Sequence, residues 1–344
     1  MSLFLCDYAE GAHPAILKKL AETNFEQTYG YGNDEHCRRA KELIKAECEA
    51  PDAAVYFLVG GTQTNMTVIA AALRPHQGVI SAATGHINVH ESGAIEHSGH
   101  KVLAYPTPDS KLSAEMVQAI YDEDISNGTR SHTVQPKMVY ISVPTEQGAM
   151  YDLAELTALS EVCKRCGYYL YADGARIGYG LASEGCDITL SDLARLTDVF
   201  YIGGTKVGAL FGEAVVITND KISEDFDYII KQNGGLLAKG RLLGIQFETL
   251  FENGLYYEIS KNAITMAMRI KKAFKQAGCD FLIDSNTNQQ FPILTKAQYS
   301  AFEGRCEFWA DMGEGRAAVR FCTSWATTEE ALCELEAQIK EYIG

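Results

Sequence analysis

Seven short apolar runs alternate along this chain with segments whose apolar positions recur every three or four residues. The runs are AAVYFLV (53–59), GVISA (78–82), KVLAYP (101–106), KMVYISV (137–143), YYLYAD (168–173), DVFYIG (198–203) and EAVVIT (213–218). Between them, HPAILKKLAET (13–23), DEHCRRAKELIKAECEA (34–50), TQTNMTVIAAALR (62–74), SAEMVQAIYDED (113–124) and DLAELTALSEVCKRCG (152–167) have the spacing of helices. The runs lack strict apolar–polar alternation, so neither face of the strands they form can meet water. Such strands, separated by helices, predict an α/β fold with a mainly parallel sheet covered on both sides. Past about residue 220 the pattern changes. GRLLGIQFETLFENG (240–254) and YEISKNAITMAMRIKKAFKQAG (257–278) read as long helices. CDFLID, QQFPILT, RCEFWAD and AAVRFCT then read as short strands, and TTEEALCELEAQIKEYI (327–343) as a closing helix. This predicts a large domain over residues 1–253, with the N-terminal segment attached, and a small C-terminal α+β domain over 254–344, divided near Gly254.

Length agrees with two units: 344 residues at 47% hydrophobic exceed what one core usually organises. The net charge of −15 argues against nucleic acid or an anionic membrane as a partner and leaves small ligands open. The N-terminal MSLFLCDYAEG has no basic flank and no long apolar stretch, so no signal peptide is expected. Ten scattered cysteines then read as free thiols of a cytoplasmic protein. Cys163 and Cys166 form a CxxC near the end of a predicted helix, with no second CxxC to complete a zinc site. Asp198–Thr218 is about as long as a membrane span, but Lys206, Glu213 and four glycines interrupt it, and two strands joined by a turn fit better.

In open parallel sheets, ligands bind beyond the carboxyl ends of the strands. Three runs end in polar or glycine-rich groups: GGTQTN (60–65), DGAR (173–176) and GGTK (203–206). Gly60-Gly61-Thr62 can present helix N–H groups to a phosphate, or Thr62 can simply cap the helix. Asp173 can pair with Arg176, or meet a protonated nitrogen on a ligand with Arg176 keeping it ionised. Lys206 lies between two apolar segments. Burial there would lower its pKa and yield a neutral amine able to form a Schiff base, unless an acid pairs with it. His86 follows another strand end. His86-x3-His90 has the spacing of two metal ligands, but HExxH is absent and no metal is expected.

Taken together, Asp173 in DGAR, Lys206 in GGTK, Gly61-Thr62 after a strand and GHINVHESGA (85–94) resemble the threonine aldolase branch of the aromatic amino acid beta-eliminating lyase family. These are pyridoxal phosphate enzymes with the aspartate aminotransferase-like fold. The resemblance runs from DYAEGAHP to the last helix. It implies that Lys206 holds pyridoxal 5'-phosphate as a Schiff base, that Asp173 faces the pyridine nitrogen with Arg176 in support, and that His86 stacks on the ring. Gly61, Thr62 and Thr205 would contact the phosphate, and Arg241 would reach a phosphate across a subunit interface. Arg320 would grip the substrate carboxylate, with Cys6, Asp7 and Tyr31 near the shared site. The chain departs from the family at VPTEQGAMY (143–151), where Glu146 stands near a histidine of other members. His86 is therefore the first candidate for the catalytic base and Glu146 the second.

The implied reaction is that of a carbon–carbon lyase: retro-aldol cleavage of L-threonine, L-allo-threonine or a related 3-hydroxy amino acid to glycine and an aldehyde. A homodimer or homotetramer with active sites at subunit interfaces is implied as well. Two other classes stay open: a pyridoxal phosphate enzyme of another reaction, such as β-elimination, and a non-catalytic or nicotinamide-binding α/β protein. The absence of GxGxxG weakens the nicotinamide form of the last.

Overall fold

The computed structural model describes residues 3–344. All seven apolar runs are strands of one sheet: β1 (Ala54–Leu58), β2 (Gln77–Ala82), β3 (Lys101–Tyr105), β4 (Gln135–Ser142), β5 (Tyr169–Asp173), β6 (Val199–Gly203) and β7 (Glu213–Ile217). Their order is β1-β7-β6-β5-β4-β2-β3. Every residue of β2, β6 and β7 is buried, which explains why these strands are apolar without alternation. Pairs from β3 through β6 are parallel, whereas β7 runs against both of its neighbours. That reversal matters for the chemistry. It sets the first residue of β7, Glu213, beside Gly203 at the carboxyl end of β6 and beside Leu58 at the carboxyl end of β1.

Two strand ends nest backbone against backbone. The Gly203 N–H donates to the Gly174 carbonyl at 3.0 Å. A Cβ on Gly174 would come within 2.0 Å of the Tyr201 carbonyl oxygen, and one on Gly203 within 2.2 Å of that of Ala175. The glycines of DGAR and GGTK are therefore required by close approach. They hold Asp173 and Lys206 in fixed relation, because any side chain there would force the two turns apart.

The helix Arg241–Glu252 is followed by Gly254, whose left-handed backbone (φ 71°) redirects the chain into the 22-residue helix Leu255–Gln276. Tyr256, Ile259, Ala263 and Ile264 on that helix pack into the large core, whereas Ile270 and Phe274 pack into a separate one with Phe321, Leu332 and Leu335. Phe4 belongs to this second core, whereas Ala12 and Ile16 further along the N-terminal segment pack into the large one. The small sheet comprises β8 (Gln289–Gln290), β9 (Ile293–Thr295), β10 (Glu307–Gly313) and β11 (Arg316–Cys322). CDFLID forms no strand beyond an isolated bridge from Phe281 to Pro292, and QQFPILT is split in two. Pro292, which has no N–H to donate, lies at the break. Among the described residues no helix is long and apolar enough to cross a membrane.

Candidate active site

A cavity of about 270 Å³ is lined by Gly61, Thr62, His86, Asp173, Lys206 and Glu213, among others. It draws on the carboxyl ends of β1, β5 and β6, as the sequence led us to expect. A larger cleft of 440 Å³, lined by Tyr31, Arg38 and Lys41, shares none of these residues.

Asp173 closes β5 and is 5% exposed. Its Oδ1 accepts from the Tyr201 hydroxyl at 2.5 Å and the Ala175 N–H at 3.0 Å. Its Oδ2 accepts from the Tyr140 hydroxyl at 2.5 Å and the Asn65 amide at 3.1 Å. Burial pushes this carboxyl up, but the charge of His86 and the two tyrosine hydroxyls outweigh burial and hold it below its ordinary value. The charge of His86 and four neutral donors thus together keep this buried carboxylate ionised. Among the described residues it makes no ion pair, in contrast to the expected contact with Arg176.

Arg176 turns the other way. Its Nε donates to Asp7 Oδ2 at 2.6 Å and its Nη2 to Asp7 Oδ1 at 3.1 Å. Burial raises the Asp7 carboxyl, but Arg176 and then Lys206 outweigh it and hold the group down at about 2. The reason is topological: the N-terminal segment lies across the site, and sequence distance gave no hint of the pairing. The Asn288 amide also donates to Asp7, at 2.9 Å. Asp7 is wholly buried and paired with Arg176, while Cys6 is half-buried, and neither lines the cavity.

Lys206 faces the cavity. Burial lowers its pKa, Arg176 lowers it further, and Asp7, Asp173 and Glu213 oppose the shift. Glu213 is 3% exposed; the Thr205 hydroxyl donates to its Oε1 at 2.9 Å and the Gly204 N–H to its Oε2 at 3.2 Å. Thr205, expected on a phosphate, thus gives its hydroxyl proton to Glu213 while still lining the cavity. Burial pushes the Glu213 carboxyl up to about 8. An unfolded glutamic acid loses its proton near 4.3, so between there and about pH 8 the folded chain holds one more proton and stability falls as pH rises. Glu213→Gln removes that loss. From pH 6 to pH 8 the stability of the cofactor-free variant relative to the parent should rise by about 2 kcal/mol, read by thermal denaturation. A difference that stays flat over this range would show that Glu213 holds no proton.

The helix Gly61–Ala72 starts one residue before Thr62, with Gly60 as an N-cap that has no side chain to offer. Thr62 is therefore in the first turn, exposed, and is not the cap. A Cβ on Gly60 would meet nothing within 4 Å. Open space at a helix N-terminus on the cavity wall suits an anion such as phosphate.

His86 Nδ1 bonds Glu91 Oε1 at 2.7 Å, and the same oxygen accepts from Asn65 at 2.7 Å. A carboxylate there sets Nδ1 as the donor and leaves Nε2 as the ring nitrogen free to face the cavity. Glu146 Oε1 accepts from the His86 backbone N–H at 2.8 Å and the Ser142 hydroxyl at 2.6 Å, and burial raises its pKa. Both candidate bases therefore meet at one wall. His86 and His90 have ring centroids 5.5 Å apart, and among the described residues no three His, Cys, Asp or Glu side chains could hold a metal ion.

Besides Cys6 and Asp7, three expected residues lie outside the cavity wall. Arg241 donates to the carbonyls of Thr23, Asn24 and Glu26 and so fastens the segment after the first helix. Tyr31 lines the larger cleft, under the ammonium of Lys231 at 4.9 Å. Arg320 is buried beside the site, bonded to Gln289, Leu5 and Glu307. Residues the sequence reading passed over are Tyr140, Tyr201, Asn65, Glu91 and Glu213. The two tyrosines did leave a signal: β4, β5 and β6 each carry a tyrosine, and buried hydroxyls need acceptors.

The cavity fits pyridoxal phosphate on chemical grounds. It offers a half-buried amine, a buried carboxylate that makes no ion pair among the described residues, and a helix N-terminus at glycine. The sequence profile of the beta-eliminating lyase family matches residues 4–307. The low specificity L-threonine aldolase of Pseudomonas aeruginosa is 30% identical, over 99% of this chain and 98% of its own. A solved threonine aldolase structure from Leishmania major is 42% identical, covers both chains completely and superposes with a TM-score of 0.96. Aspartate aminotransferase from Thermus thermophilus, at 15% identity and a TM-score of 0.72 over 99% of this chain, shares the fold.

Proposed function

The chain belongs to the beta-eliminating lyase family, and we propose that it is a pyridoxal phosphate-dependent aldehyde-lyase that cleaves L-threonine, L-allo-threonine or related 3-hydroxy amino acids to glycine and an aldehyde. The observation that carries this reading is the meeting, in one cavity, of a lysine amine with a lowered pKa and a buried aspartate held ionised by two tyrosine hydroxyls and the nearby His86.

The cofactor, when bound, supplies the electron sink that stabilises the negative charge left at the substrate Cα. Lys206 would hold it, and Asp173 would keep a proton at its ring nitrogen. Tyr140 and Tyr201 hold Asp173 ionised for that task. The first-turn N–H groups at Gly61 and Thr62 would take the phosphate, with Thr205 beside them. Arg320 would hold the substrate carboxylate through its planar fork. The base would be His86, whose ring is oriented by Glu91, with Glu146 as the second candidate. It removes the 3-hydroxyl proton, directly or through water, as the Cα–Cβ bond breaks and the aldehyde leaves, and a proton returned to Cα completes glycine.

Incubation of the yellow holoenzyme with L-threonine and L-allo-threonine tests the reading. Glycine and acetaldehyde are expected in equal amounts. Ammonia with a keto acid would instead mark β-elimination, and a protein that takes up no cofactor would sink both. We also infer a cytoplasmic homo-oligomer, dimer or tetramer. Exposed aromatic side chains support self-association: Phe25, Tyr29 and Tyr228 are 93%, 83% and 75% exposed. Light scattering in solution checks this, and a monomer would refute it.

A further inference from the structure

Arg320 has hydrogen-bonding capacity that the chain meets only in part. Its Nη1 donates to Gln289 Oε1 at 3.0 Å and its Nη2 to the Leu5 carbonyl at 3.0 Å. Its Nε is shut away from solvent with no acceptor among the described residues. The guanidinium carbon lies 5.4 Å from the centroid of the Trp309 ring, which fixes its plane. The remaining partner is a carboxylate, Glu307, which forms an ion pair with Nη2.

The two residues differ in character. Arg320 is buried on β11; Glu307 is the first residue of β10, directly opposite it, with a side chain 46% exposed. β10 pairs on one side only, and its pairing with β11 is broken at two places, between Phe308 and Ala310 and between Asp311 and Gly313. A carboxylate half in solvent rehydrates readily when a second carboxylate replaces it on the buried cation, so the cost falls on leaving Arg320 unpaired and not on the exchange. The pair also stands near the chemistry. Gln289 links Arg320 to the Glu146 carbonyl at 3.5 Å, and Glu146 lines the cavity. His90 feels Glu307, Arg320 and Lys206 together.

We propose that Glu307 is a resident carboxylate that occupies Arg320 when no amino acid is bound and must yield it to the substrate carboxylate. This rests on the reading of Arg320 as the carboxylate anchor. Glu307 then sets substrate affinity by competition: an arginine engaged by its own chain for most of the time binds an incoming anion more weakly by the fraction that is free. The pair also keeps a buried cation from standing unpaired in the empty site.

The test uses holoenzyme carrying Glu307→Gln, with Glu307→Ala as a second variant. Two constants are read: KM for L-threonine, and the inhibition constant of 3-hydroxybutyrate, which has the carboxylate and hydroxyl but no amine. Both should fall by about 3- to 10-fold, the change being carried by KM rather than kcat. The cofactor-free protein should likewise show a larger thermal shift with 3-hydroxybutyrate. Arg320→Lys, which loses the planar fork, serves as the control and should raise both constants. If Arg320→Lys raises them while the Glu307 variants leave them unchanged or raise them, the competition is refuted and the arginine keeps its role. If Arg320→Lys changes neither, the reading of Arg320 fails and the proposal fails with it.

Discussion

Lys206→Ala yields a protein that folds but no longer gains the borohydride-fixed cofactor band, and its cleavage of L-threonine falls by at least about 10³-fold. Lys206 is half-buried, and burial disfavours its charged form, so removing the long stem relieves rather than creates a desolvation cost. Global stability should therefore hold, with a melting temperature at or above that of the parent in the cofactor-free state. Burial and the neighbouring Arg176 both favour the neutral form of this amine, the form that covalent chemistry at Lys206 would need. Among the described residues no other lysine lines this cavity, so none is placed to substitute for it. Reduction of the parent with borohydride followed by peptide mapping should find the pyridoxyl group on Lys206. A label on a different lysine, or a variant retaining more than a few per cent of parent activity, would remove the basis of the mechanism.

Asp173→Asn should keep the cofactor and lose about 10²- to 10³-fold in kcat, the cost of removing one preorganised charge from a water-poor site. The substitution preserves shape and leaves the Asn65 and Ala175 donors nearby. What it removes is the negative charge that Tyr140 and Tyr201 maintain. An amide cannot hold a proton on a ring nitrogen, so the deficit should appear in kcat with KM little changed. Cofactor content measured at alkaline release separates this from simple loss of binding. Equal kcat in Asp173→Asn and parent would mean that the carboxylate is structural. A structural role alone would show in the melting temperature, since two tyrosine hydroxyls would lose a charged acceptor.

The seven-stranded sheet was legible because its strands are continuous apolar runs and its helices are periodic; burial on both faces leaves that mark in any linear sequence. DGAR and GGTK were legible as strand ends bearing charge inside apolar surroundings. The order and spacing of these motifs also carried the family resemblance. Other relations were not legible. Arg176 stands three positions from Asp173, and proximity along the chain suggested an ion pair, yet it binds Asp7, 169 positions away. Glu213 looked like an interruption of an apolar stretch. Only the antiparallel entry of β7 between β1 and β6 turns it toward Lys206. Asp173 is kept ionised by hydroxyls from two other strands, and strand neighbours are set by sheet order, which pattern alone does not specify.

The chain by itself therefore determined which segments become strands and helices, where glycine lets backbones touch, and which side chains carry reactive groups, since all three follow from local periodicity and residue chemistry. The tertiary structure decided which charge meets which. Electrostatic partnership depends on distance through space and on exclusion of water, and both are set only when β7 turns back, the N-terminal segment crosses the site and the small sheet brings Arg320 and Glu307 to its edge.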